Sequence, residues 1–207
     1  MNSASPKISL RDLSDCPEKF DAGFEIYERA LPASERKSRN EISELLARDD
    51  FRLTIAELDG EVIGVSIVYI SNSAPISLLD YVATSPAYRN MGIGAHMFRH
   101  ALDVSGGRLL FVEVESVSGS SEERAMRIRR QEWYVRLGCQ VLDEIDYRMP
   151  QLNEIPPPPL NLMYHRNDTM LSPSEQNLRE WISCIYSDVY GLDHSEHAIE
   201  AMLSAKP

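Results

Sequence analysis

Apolar and polar positions along this chain repeat at two spacings, and the switches between them mark its elements. Ile8-Ser9-Leu10-Arg11 has strand alternation, and Asp15-x-x-Glu18 then reads as a capping box for a helix carrying Phe20, Phe24, Tyr27 and Leu31, closed or kinked by Pro32. Ser38-x-x-Glu41 caps a second helix presenting Ile42, Leu45 and Leu46. Phe51 to Leu58 and Val62 to Ile70 are strands joined by the hairpin signal Asp59-Gly60, and Gly64 marks a bulge or a close backbone approach. Asn72 to Pro75 makes the next turn, and Ile76 to Thr84 is the strand after it. These are three antiparallel strands with two short helices before them.

The next segment changes period. After Ser85-Pro86 comes Arg89-Asn90-Met91-Gly92-Ile93-Gly94, and then Met97, Phe98, Ala101 and Leu102 follow helical spacing to a stop at Gly106-Gly107. Arg108 to Val114 is dense enough in apolar residues for a central strand covered on both faces. The helix is therefore expected to cross over, right-handed, between parallel strands at Ile76–Thr84 and Arg108–Val114. Ser116 to Ser121 is a loop, and Ser120-x-x-Glu123 is expected to cap a helix that stops at Gly138. Val141 to Met149 and Leu160 to His165 are expected as sixth and seventh strands, separated by Pro156 to Pro159, which must run extended.

The last forty or so residues read as helical. Ser172-Pro173-x-Glu175 signals a helix start, and Leu178, Trp181, Ile182, Ile185, Tyr186 and Val189 form an apolar stripe ending at Gly191. A short helix from Ser195 to Leu203 follows. The stripe needs a partner surface, either this same domain or a second copy in a homodimer.

A strand, a glycine-rich turn and a helix in that order put unpaired backbone N–H groups at a helix N-terminus, where the dipole favours an anion. The spacing is neither a P-loop nor G-x-G-x-x-G. Arg89-x-x-Gly92-x-Gly94, preceded by Pro86-x-Tyr88, resembles the signature of the GCN5-related N-acetyltransferases. Asn90 stands where glycine is common there, and asparagine is the residue that best tolerates a left-handed backbone in its place. Tyr134-x-x-x-Gly138 before a hydrophobic strand resembles a second segment of that family, with Trp133 in the first aromatic place and Cys139 replacing the usual phenylalanine.

The resemblance covers about residues 8 to 166 and implies a mixed α/β (α+β) fold. Its expected core is a seven-stranded, mostly antiparallel sheet with splayed central parallel strands, in a domain over 1–166 with a helical extension at 167–207. It implies direct transfer of acetyl from acetyl-coenzyme A to a primary amine. Arg89, Asn90, Met91, Gly92, Ile93 and Gly94 would surround the pyrophosphate, while Val82 and Thr84 would offer backbone groups to the pantetheine arm. Tyr134 would protonate the departing thiolate, and Arg124 or Arg127 would neutralise the 3′-phosphate. Tyr27, Glu28, Glu35 and Arg36 fall where the family shapes its acceptor pocket.

Asp80 interrupts an apolar run four residues before Thr84 and is the first candidate for the general base. Glu113 is the second, although a salt bridge to Arg127, Arg129 or Arg130 would equally account for a charge in so apolar a strand. His96 and His100 share a helical face without a third ligand nearby, so no metal site is expected.

Composition narrows the partners. The chain has 207 residues, 43% of them hydrophobic, and a formal net charge of −11, which argues against general nucleic-acid binding and slightly favours a cationic small acceptor. Peptide or protein amines remain open as acceptors. Cys16, Cys139 and Cys184 are odd in number and widely separated, as reduced thiols in a cytoplasmic protein would be. No apolar run reaches membrane-spanning length, so no membrane is expected. A non-catalytic coenzyme A-binding sensor and a transferase of longer acyl groups are the competing readings.

Overall fold

The computed structural model describes residues 8–31, 36–118, 123–151, 154–167 and 169–204. Its strands are β1 (Ser9–Asp12), β2 (Phe51–Leu58), β3 (Glu61–Ile70), β4 (Ile76–Thr84), β5 (Leu109–Glu115), β6 (Gln140–Val141) and β7 (Leu160–His165). Its helices are α1 (Phe20–Ala30), α2 (Arg39–Leu45), α3 (Ile93–Val104), α4 (Arg124–Arg136), α5 (Glu175–Asp188) and α6 (Glu196–Ser204). The strands form one mixed sheet in the order β1-β2-β3-β4-β5-β7-β6. The chain divides into two compact units, Met1–Ile70 with Leu79–Gly106 and Ser71–Leu78 with Gly107–Pro207.

In the first unit β1, β2 and β3 pair antiparallel. Asp59 and Gly60 both have positive φ, 52° and 85°, the conformation that a two-residue hairpin with matching twist requires. The register slips between Ala56 and Glu57, opposite Gly64 and Val62, so the bulge lies beside Gly64. The close approach is there as well. A Cβ on Gly64 would lie 2.9 Å from the Met97 sulfur and 3.1 Å from the Ala83 carbonyl oxygen, so only glycine lets α3 and β4 come this near. Ile93 and Met97 of α3 pack there with Ala56 and Ile63, flanked by half-buried Val82 and Tyr88.

The start of α1 departs from expectation. Asp15 and Glu18 do not form a capping box: 13–15 and 17–19 are single 3₁₀ turns, the first capped by Asp12, and α1 begins at Phe20 without a side-chain cap. Cys16, the residue before Pro17, is held out of the helical region at φ −145° and ψ 58°, which breaks the continuous helix that the box would have opened. The Ser38–Glu41 box is formed in both directions. Pro32, Glu35 and Ser120 lie outside the described residues.

In the second unit β7 pairs antiparallel with β5 and with β6. The sixth strand is only Gln140–Val141, not Val141 to Met149. After Leu142 donates its N–H to Leu162, the backbone of this segment bonds elsewhere: Asp146 N–H donates to the Met202 carbonyl, and the Arg148 carbonyl accepts from Tyr186 Oη. Groups satisfied by the tail helices do not need a ladder. Helix α5 starts after Ser174, which caps Asn177 N–H, rather than after Ser172. Its stripe Leu178, Trp181, Ile182, Ile185 and Tyr186 is buried, with Trp181 6.0 Å from Phe111 of β5 between ring centroids. Among the described residues, no helix is long and apolar enough to cross a membrane.

Candidate functional site

The candidate residues divide between the two units, and each group belongs to its own. In the first unit the turn between β4 and α3 is pinned on three sides. Ser85 N–H donates to the Ile63 carbonyl at 2.8 Å, Tyr88 Oη donates to Glu61 at 2.7 Å, and Ile93 is buried in the core. Between these anchors Asn90 and Gly92 take left-handed backbone, φ 65° and 79°, as the sequence pattern predicts. Arg89, Asn90, Met91 and Gly92 are exposed. Gly92 is the N-cap of α3 and carries no capping side chain, and the first helical bond is His96 N–H to the Gly92 carbonyl. A long helix thus presents uncapped N–H groups behind an exposed left-handed turn, which suits a pyrophosphate.

Asp80 lies in β4 of the same unit and is not alone. Lys37 Nζ is 3.0 Å from Asp80 Oδ2, with only 12% and 10% of the two side chains exposed. The Lys37 backbone is fixed by its own N–H, which donates to Tyr27 Oη at 2.7 Å. Tyr27 in turn stands edge-on to Tyr81, 4.7 Å between centroids, and Tyr81 Oη donates to the Tyr27 carbonyl. Burial, reinforced by the Asp80 charge, pushes the Tyr27 phenol above its ordinary range, so it stays a neutral hydroxyl. Of the expected acceptor-side residues, Tyr27 is in this cluster, whereas Arg36 pairs with Glu28, donating to its carbonyl at 2.9 Å. Lys37 went unnoticed in the sequence. It sits in a polar run before a helix cap, and nothing local ties it to a strand 43 residues on.

In the second unit Tyr134 is buried in α4, in edge contact with Trp133 at 4.7 Å. Desolvation raises its phenol above the ordinary range, so it keeps its proton at neutral pH. The helix ends there because Gly138 turns left-handed at φ 96°, letting Cys139 N–H bond back to the Tyr134 carbonyl. A Cβ at Gly138 would lie 2.8 Å from His165 Nε2. Burial pushes the Cys139 thiol up to about 12.

Of the arginines expected beside Glu113, Arg127 and Arg130 bond to Glu115, at 2.8 and 3.2 Å, and Arg124 Nε donates to the Val117 carbonyl. Glu113 accepts from Tyr147 Oη and, at 2.5 Å, from Tyr190 Oη beyond the end of α5. Neither tyrosine had a sequence signal, since both come from segments far along the chain.

The acetyltransferase (GNAT) family model matches residues 19–121, which hold the first unit's candidate residues and Glu113 but stop short of Tyr134. No curated protein sequence matches the chain. Among solved structures, a putative acetyltransferase of the GNAT family from Bacteroides thetaiotaomicron is 24% identical with a TM-score of 0.69, over 90% of this chain and 99% of that one. That span exceeds residues 1–166, so the likeness in fold runs into the C-terminal helices. The ribosomal-protein-S18-alanine N-acetyltransferase from Escherichia coli is 16% identical with a TM-score of 0.58, over 81% of this chain and 99% of that one. A putative GNAT acetyltransferase from Desulfovibrio desulfuricans has a TM-score of 0.55 at 15% identity, covering 76% and 96%. With the glycine turn built as its motif predicts and the family model lying across it, the chain belongs to the GCN5-related N-acetyltransferase superfamily, whose fold is competent to bind coenzyme A.

Proposed function

We propose that the protein transfers acetyl from acetyl-coenzyme A to a primary amine. The observation that carries this reading is the exposed left-handed turn at Asn90 and Gly92, set against the uncapped N-terminus of α3 directly after β4. Arg89 to Gly94 would hold the pyrophosphate through backbone N–H groups, with Val82 and Thr84 offering main-chain groups to the pantetheine arm. In the reaction the amine nitrogen forms a bond to the thioester carbonyl carbon, the carbon–sulfur bond breaks, and the amine loses a proton while the thiolate gains one. Asp80, directly or through water, takes the first proton, and Tyr134, held protonated by burial, supplies the second. Binding both reactants together provides much of the acceleration without a covalent enzyme intermediate.

The test is release of free thiol from acetyl-coenzyme A across a panel of amino acids, polyamines, aminoglycosides and short peptides, with mass detection of products. An acetylated amine establishes the activity. Calorimetric binding of coenzyme A without any product turns the reading to a sensor, and absence of binding removes the role given to Arg89–Gly94.

A further inference from the structure

We propose that Lys37 and Asp80 together form the acceptor subsite and that it takes an α-amino acid, with the ammonium on Asp80 and the carboxylate on Lys37. This rests on the transferase reading and names its substrate class. The ground is the charge balance of the pair. Two opposite charges 3.0 Å apart, each with about a tenth of its side chain exposed, already sum to zero. A cationic acceptor on Asp80 would leave one positive charge uncompensated in a nearly dry place, and an anionic acceptor on Lys37 would leave one negative charge. A zwitterion leaves none. Lying antiparallel to the pair, it gives each charged group a second opposite partner.

The scale also matches. An α-amino acid carries its ammonium and carboxylate on one carbon, a separation close to that of the pair itself, whereas a polyamine has no anion to offer. The ammonium of Lys37 is held at this spacing. Its backbone is tied to Tyr27, and the next residue opens the two-way cap of α2, where Ser38 N–H donates to Glu41 Oε2 at 2.6 Å. Glu41, a further carboxylate near Lys37, is thereby committed to the cap. Tyr27, whose ring packs edge-on against Tyr81, adds an uncharged neighbour to the pair. The remaining exposed tenth leaves the pair open to solvent for exchange of partners. Lys37 is thus a specificity-determining residue, and the weak preference for a cationic acceptor suggested by overall composition does not extend to this subsite.

The experiment presents each of the twenty free L-amino acids beside its α-carboxamide, reading thiol release with acetyl-coenzyme A and, separately, heat of binding in the presence of coenzyme A. Loss of one charge-assisted hydrogen bond predicts a preference for at least one free acid over its amide of about 10- to 100-fold. Lys37→Met should erase that preference, and Lys37→Arg should restore part of it, with thermal melting confirming that each variant is folded. Equal use of acid and amide by the wild type, or a preference that survives Lys37→Met, overturns the proposal while any acetylated product leaves the transferase reading standing. If no amine is acetylated, that reading fails by itself. Binding of a free acid that depends on Lys37 still upholds the subsite, and absence of such binding overturns it.

Discussion

Asp80 and Glu113 are both carboxylates set in apolar strands, and the fold satisfies them in opposite ways. Asp80 is matched by a full positive charge on Lys37, whereas Glu113 is held by the neutral hydroxyls of Tyr147 and Tyr190. An ion pair can exchange one partner for another charged group of the same sign, which is what an acceptor ammonium is. A carboxylate that accepts from hydroxyls of its own chain is committed, one oxygen to each, to groups that anchor distant segments. On the function proposed above, the difference favours Asp80 as the base and gives Glu113 a part in the cohesion of the second unit, although the sequence offered both as bases.

The sharpest break of this comparison is a pair of isosteric substitutions. Asp80→Asn should lower kcat by about a thousandfold, within the usual range for a lost general base, and flatten the lower limb of the pH–rate profile. Glu113→Gln should leave turnover per folded molecule within about threefold but cost about 1–3 kcal/mol in urea unfolding, as charge-assisted hydrogen bonds weaken. If Glu113→Gln silences a well-folded enzyme and Asp80→Asn does not, the two assignments are exchanged. Next comes Tyr134→Phe, expected to lower kcat by about a hundredfold with coenzyme A affinity unchanged. Unaltered turnover would leave Tyr134 as packing alone.

A third test uses alkali. Burial raises Tyr186 to about 12 from its ordinary 10.0, with the nearby Glu113 charge adding to the effect, and raises Cys139 to about 12 from 9.0. Both groups are neutral when folded and ionise more easily when unfolded. Their stabilisation is therefore complete below about pH 9 and is lost as pH rises towards 12. Urea midpoints should fall across that window, and Cys139→Ala should delay the fall. The smallest effect expected is Tyr190→Phe, about 1 kcal/mol in unfolding with no change in KM, because Tyr147 still donates to Glu113.

What the sequence made legible was local. The hairpin at Asp59-Gly60, the Ser38–Glu41 box, left-handed Asn90 and the close approach at Gly64 each follow from a residue's own backbone preferences or from a spacing of a few positions. What it hid was long-range. Lys37 meets Asp80 across 43 residues and Tyr190 meets Glu113 across 77, and no periodicity reports such encounters. The shortened sixth strand has the same origin. Val141 to Met149 has strand-like composition, but in the folded unit it is the tail helices, not a neighbouring strand, that bond its backbone groups at Asp146 and Arg148.

That last arrangement sets an order of events during synthesis. The first unit is complete once Gly106 has left the ribosome, whereas Asp146 and Arg148 must wait for Met202 and Tyr186. At about 5–20 residues per second, the stretch around Asp146 spends several seconds bonded only to water before its partners are made. The second unit therefore acquires its native hydrogen bonds last, when the turn at Arg89–Gly94 already has all the residues of its own unit.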